Sequence, residues 1–116
     1  MVSELILVNA ILSTRNKLKP SIDNGHFISQ IEKQLTHDFK EESVSKKAAY
    51  LTYSIMILKP FKTLNKETAF VSGILFYQRH RGININQSIA SRLSTAIKDE
   101  SYLDDFVRIY KLQEQQ

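Results

Sequence analysis

Only Gly25, Gly73, Gly82, Pro20 and Pro60 can punctuate the backbone of this 116-residue chain. A β-sandwich or barrel would need turn residues roughly every 8–12 positions, so a chain this poor in them reads as a set of helices. The apolar periodicity says the same. Val44, Ala48, Leu51, Ile55 and Leu58 recur at spacings 4, 3, 4, 3, which makes one face of a helix and marks it as central core. Ser43 precedes that stripe as a helix cap, and Pro60 disfavours helical backbone at Lys59, so the helix is expected to end there.

The remaining helices follow from the same rules. A first is expected from Ser3, as N-cap, to about Leu18, with Leu5, Val8, Ile11 and Leu12 on one face, ended by Pro20 and the Asp23-Asn24-Gly25 turn. A second runs from His26 to Phe39 and buries Phe27, Ile31, Leu35 and Phe39. A fourth runs from a cap at Asn65 to Arg79, with Gly73 allowing close helix packing. After Arg81-Gly82-Ile83 and a short extended piece through Ile85, two last helices span about Gln87–Ile97 and Tyr102–Lys111. Residues 1–116 thus read as one all-α domain, a bundle of about six helices.

Composition excludes several function classes. With no cysteine, the chain has no disulfide framework, thiolate metal site or cysteine nucleophile. His26, His37 and His80 lack ligand spacing, so no metal site is expected. The apolar run Leu5–Val8 follows Glu4 and is interrupted by Asn9, which fits neither a signal peptide nor a membrane span. The expectation is a cytoplasmic chain that does not engage a membrane. A net charge of +4 is a mild excess, and a nucleic-acid partner is not favoured. His80 between Arg79 and Arg81 complements a helix C-terminus, where cations are favoured. Lys59, Lys62 and Lys66 cluster beside the start of the fourth helix, and Glu67 in its first turn complements the dipole there.

The stretch Lys59-Pro60-Phe61-Lys62-Thr63-Leu64-Asn65-Lys66-Glu67-Thr68-Ala69-Phe70 carries a more specific pattern. With Leu75-Phe76-Tyr77 and Arg81-Gly82-Ile83 after it, and Lys46–Leu51 before it, it resembles the signature region of the Fic/Doc (Fido) family. That signature reads His-Pro-Phe-x-Asp-Gly-Asn-Lys-Arg-Thr-Ala-Phe, and the small Doc-type members match this chain in length. The resemblance implies a Fido-like helical fold. It also implies a loop-to-helix junction that handles nucleotide phosphates, a histidine base, an acid that helps hold Mg²⁺, and transfer of AMP or phosphate to a protein hydroxyl. On this pattern Pro60, Phe61, Thr68 and Ala69 are structural anchors, and Asn65, Lys66 and Lys62 are the anion- or nucleotide-binding candidates.

The departures fall on the chemistry. Lys59 stands at the histidine position, and lowering its pKa to neutrality would cost about three units, roughly 4 kcal/mol. Thr63 replaces the metal-holding acid, Leu64 the glycine, and Glu67 the phosphate-binding arginine. The Thr63-to-Glu67 pair imitates the family's inhibitory Ser/Thr-x-x-x-Glu helix but lies inside the signature itself. The expected protein is therefore a degenerate Fic/Doc-like chain without transferase activity and without a cofactor. It would act as a toxin-like or regulatory module that binds a protein, either an antitoxin-like partner or a target. Two alternatives stand beside it. One is an active Doc-type toxin using ATP and Mg²⁺ on a translation protein, with His37 or His80 as base; the other is a small basic nucleic-acid-binding protein.

Overall fold

The computed structural model describes residues 2–19 and 22–115. Six α-helices follow one another: α1 (Val2–Arg15), α2 (His26–Lys33), α3 (Val44–Leu58), α4 (Asn65–Arg81), α5 (Gln87–Lys98) and α6 (Leu103–Gln113). A π-helical turn, Gln34–Asp38, extends α2. The expected all-α bundle is what forms.

The heptad-like stripe puts α3 at the centre, packed on α4 and α6, while α1 lies along α4 and α5 along α6. Ala48, Leu51 and Ile55 of the stripe are fully buried together with Phe61, Ala69, Tyr77, Phe106 and Tyr110. Ser43 caps α3 by accepting from the Lys46 amide at 3.2 Å, and Asn86 caps α5 by accepting from the Ser88 amide at 2.8 Å. Gly73 marks the closest approach: a Cβ there would overlap the Thr52 and Tyr110 hydroxyls, which share a 2.8 Å hydrogen bond between α3 and α6. Gly82 ends α4 in the left-handed conformation that glycine adopts without strain (φ 68°).

Three boundaries differ from expectation, each for a local reason. α1 starts at Val2, so Ser3 lies inside it, and it closes at Arg15 rather than Leu18. Lys17 turns left-handed (φ 57°) and the Leu18 amide folds back onto the Ser13 carbonyl at 2.7 Å, a closure that satisfies the last carbonyls. Pro20, expected to break this helix, lies outside the described residues. On α1, Leu5 is buried while Ile11 is exposed, so the apolar face is split.

The second segment does not continue as an α-helix to Phe39. Spacings of four drift about 40° per step around an α-helix, and the wider π turn takes up that drift. The Phe39 amide reaches the Gln34 carbonyl, Leu35 stays buried, and Phe39 is half-buried against the Tyr50 ring. Ile28, not Phe27, joins Ile31 in the core, while Phe27 is half-buried beside His26. The piece from Ile83 to Ile85 forms no ladder. Its Ile85 amide is satisfied by the Gln78 side chain instead.

Candidate functional site

Between α3 and α4 the chain makes a six-residue loop, residues 59–64, with two residues in the left-handed region: Lys59 (φ 49°, ψ 61°) and Leu64 (φ 61°, ψ 32°). Neither is glycine, and each such residue costs on the order of 1–3 kcal/mol, which persists only where the surroundings over-determine it. Here they do. Asn65, the first residue of α4, accepts from the Phe61 amide at 3.0 Å and donates to the Phe61 carbonyl at 2.8 Å. The amides of Asp23 and Asn24 both donate to the Pro60 carbonyl, and the Asn24 side chain reaches the Lys59 carbonyl at 3.3 Å. Ile22 forms an antiparallel bridge with Phe61, whose ring is buried in the core.

The far side of the loop is held by α1. The Asn9 side chain, 2% exposed, donates to the Thr63 carbonyl at 2.9 Å and to the Thr68 hydroxyl at 3.1 Å. Nothing in sequence spacing links Asn9 to Thr63. The available signal was a lone polar residue after the apolar run Leu5–Val8, on the side of the helix that carries Leu5 into the core.

The sequence-derived candidates divide sharply in this frame. Pro60, Phe61, Thr68 and Ala69 are buried. Lys59, Lys62, Thr63 and Glu67 are exposed on the loop and the first turn of α4. Asn65 has its carbonyl and amide groups both engaged with Phe61, so its side chain serves the loop. It does not cap α4 from outside, as Leu64 occupies that position. Lys66 is half-buried and its ammonium lies 3.4 Å from the Lys98 carbonyl at the end of α5.

Beside this junction lies a cavity of about 450 Å³. Leu12, Phe70, Val71 and Ile97 give it apolar walls, and Lys66, Glu67 and Lys98 contribute charge.

His80 lies away from the loop, whereas His26 follows by two residues Asn24, which bonds to the loop. His80 sits fifteen residues along α4 from Asn65, about 22 Å at the helical rise. There its Nδ1 lies 2.9 Å from the Phe76 carbonyl and its ring stacks on Phe76. Arg79, next to it, forms an ion pair with Glu4 of α1. His37 is exposed in the π turn, and His26 is exposed at the start of α2 against Phe27.

Nucleotide and Mg²⁺ binding of the kind the Fic/Doc resemblance implies does not fit these residues. The Asn65 carboxamide is committed to two hydrogen bonds with Phe61, Thr63 offers a neutral hydroxyl in place of a carboxylate, and Glu67 adds negative charge to the first turn of α4. Among the described residues, no helix is long and apolar enough to cross a membrane. No protein-family model, curated protein or solved structure matches the chain.

Proposed function

We propose that this chain is a Fic/Doc-like protein that has lost transferase chemistry and acts as a toxin-like or regulatory protein-binding module. The observation that carries the reading is the conformation of Leu64. It stands at the signature's glycine position and holds the left-handed backbone that a glycine would adopt freely, although its side chain disfavours it. Glu100 in the α5–α6 junction is also left-handed (φ 51°), but it follows its helix, whereas Leu64 stands immediately before α4. Asn65, at the signature's asparagine position, fixes the loop that leads into it.

The lost chemistry rests on three positions. Lys59 is an exposed lysine where the signature has a histidine, Thr63 carries no carboxylate, and Glu67 is an acid where the signature has an arginine. A scaffold of buried anchors around a chemically altered rim is suited to recognition. Its exposed lysines, Lys59 and Lys62, make an acidic protein surface the natural complement.

Calorimetry with ATP, with and without Mg²⁺, tests this on the wild type and on Glu67→Arg. The wild type is expected to give no heat, and Glu67→Arg to gain measurable affinity by removing the repulsion. Mg²⁺-dependent ATP binding by the wild type would overturn the proposal and point to an active transferase.

A further inference from the structure

The segment that braces the outer side of the 59–64 loop ends in an Asn-Gly pair, Asn24-Gly25. In such a pair the glycine nitrogen can close a five-membered ring on the asparagine carboxamide carbon. A side chain on the second residue shields that nitrogen, and glycine has none. Every other asparagine of the chain precedes a residue that carries a side chain. The glycine is also fitted to its place, since a Cβ there would stand 3.0 Å from Cγ2 of Ile22.

The surroundings hold the reacting groups lightly. The nearby amides of Asn24 and Phe27 donate to the Pro60 and Asn24 carbonyls, but among the described residues no acceptor takes the Gly25 amide. The Asn24 side chain is half-buried, and its Nδ2 donates to the Lys59 carbonyl across a long 3.3 Å. That contact holds the nitrogen that would leave, not the carbon that would be attacked. The ionisable neighbours are Asp23 and His26 on either side of the pair and Lys59 across the turn, and all three are exposed.

We propose that Asn24 is a site of spontaneous deamidation that releases the brace on the 59–64 loop. Hydroxide takes the Gly25 amide proton, and the nitrogen bonds to Cγ of Asn24. The bond from Cγ to Nδ2 breaks, and ammonia leaves with a proton from water. Water then opens the cyclic imide. Opening at Cγ yields aspartate, and opening at the main-chain carbonyl yields isoaspartate. Overall one water is consumed, one ammonia is released, and nothing is oxidised or reduced.

Either product removes the donor to the Lys59 carbonyl. Aspartate sets a carboxylate against that carbonyl oxygen. Isoaspartate adds a methylene to the main chain, and it turns the carbonyl that accepts from Phe27 at the start of α2 into a carboxylate. Lys59 keeps its left-handed backbone only while its surroundings impose it, so the loop should loosen.

The test holds the folded protein in mildly alkaline buffer made with heavy-oxygen water. Peptide mass spectrometry should find labelled aspartate and isoaspartate at position 24 before any other asparagine reacts. Gly25→Ala should stay unmodified there. So should Asn24→Gln, whose larger ring closes far more slowly and which leaves the glycine in place. Circular dichroism checks that both keep their helices. In the separated modified protein, hydrogen exchange at the Phe61 amide should speed up about fivefold, the worth of one ordinary hydrogen bond, with α3 core amides less affected. Asn24→Asp should show the same change without incubation. A position 24 that stays intact, or reacts no sooner than the other asparagines, overturns the site. Modification that leaves Phe61 exchange unchanged overturns the release of the loop.

Discussion

The α3–α4–α6 interface and the loop between α3 and α4 adjoin each other and are held by opposite means. Along the helices, apolar side chains are buried against one another, and two polar links join α3 to the α6 side: Thr52 to Tyr110, where Gly73 makes room for it, and Ser45 to Glu114 at the helix end. In the loop, six hydrogen bonds from Asn9, Asp23, Asn24 and Asn65 hold two residues in backbone conformations they disfavour. Packing of the first kind resists any change in volume. Bracing of the second kind resists a change in backbone shape, and it draws its strength from segments far away in the chain. The loop shape is thus a property of the whole fold, although its residues are contiguous.

The sharpest way to break the comparison is to put a methyl group into the packed side. Gly73→Ala forces the Thr52 and Tyr110 hydroxyls apart inside a full core. It should cost about 3 kcal/mol in urea unfolding, from overpacking plus a lost buried hydrogen bond. Removing a brace should cost less and act elsewhere. Asn9→Ala leaves the Thr68 hydroxyl and the Thr63 carbonyl short of a donor, for about 2 kcal/mol. Hydrogen exchange distinguishes the two. In Asn9→Ala the Phe61 amide should lose protection beyond the fall in global stability, whereas in Gly73→Ala it should follow global stability alone.

What could be read in advance divides along the same line. The stripe from Val44 to Leu58 and the close approach at Gly73 were legible because a helix repeats its environment every few residues. Asn65 was legible as a helix-start residue, but the actual use of its side chain was not, since a cap and a loop brace call for the same residue type. Asn9 and Asn24 were not legible as loop partners. Asn9 acts across 54 positions and Asn24 across 35, and no periodicity connects residues that meet only after the helices pack. The π turn escaped for a smaller reason: residues four apart suit an ordinary helix over one step and fail it only over three.

Alkaline pH probes the packed side without altering its volume. Burial raises the pKa of the Tyr110 hydroxyl, and the bond from Thr52 offsets only part of that rise. The unfolded tyrosine ionises near pH 10 while the folded one keeps its proton. The unfolded state therefore binds fewer protons above that pH, and stability falls as pH rises. The slope from Tyr110 is about 1.4 kcal/mol per pH unit until its folded pKa is reached. Tyr50 and Tyr77 shift in the same direction, also through burial. Tyr110→Phe should remove one tyrosine's share of the slope and leave theirs, as urea titrations between pH 9 and pH 11 would show.

The smallest expected effect tests the braced side most directly. A left-handed residue other than glycine costs roughly 1–2 kcal/mol. Leu64→Gly should therefore relieve strain in the folded loop. Against this, glycine gives up about 0.5–1 kcal/mol in chain entropy, and the half-buried leucine loses some contact. The net should be a gain of about 0.5 kcal/mol or less, with helix content unchanged. The informative step is to repeat the substitution in Asn9→Ala. If Asn9 helps to hold the loop where Leu64 is strained, the strain has already relaxed in that background and glycine gains nothing. An equal gain in both backgrounds would assign the left-handed turn to Asn65 and the 22–24 segment alone, leaving α1 as a neighbour of the loop with no part in shaping it.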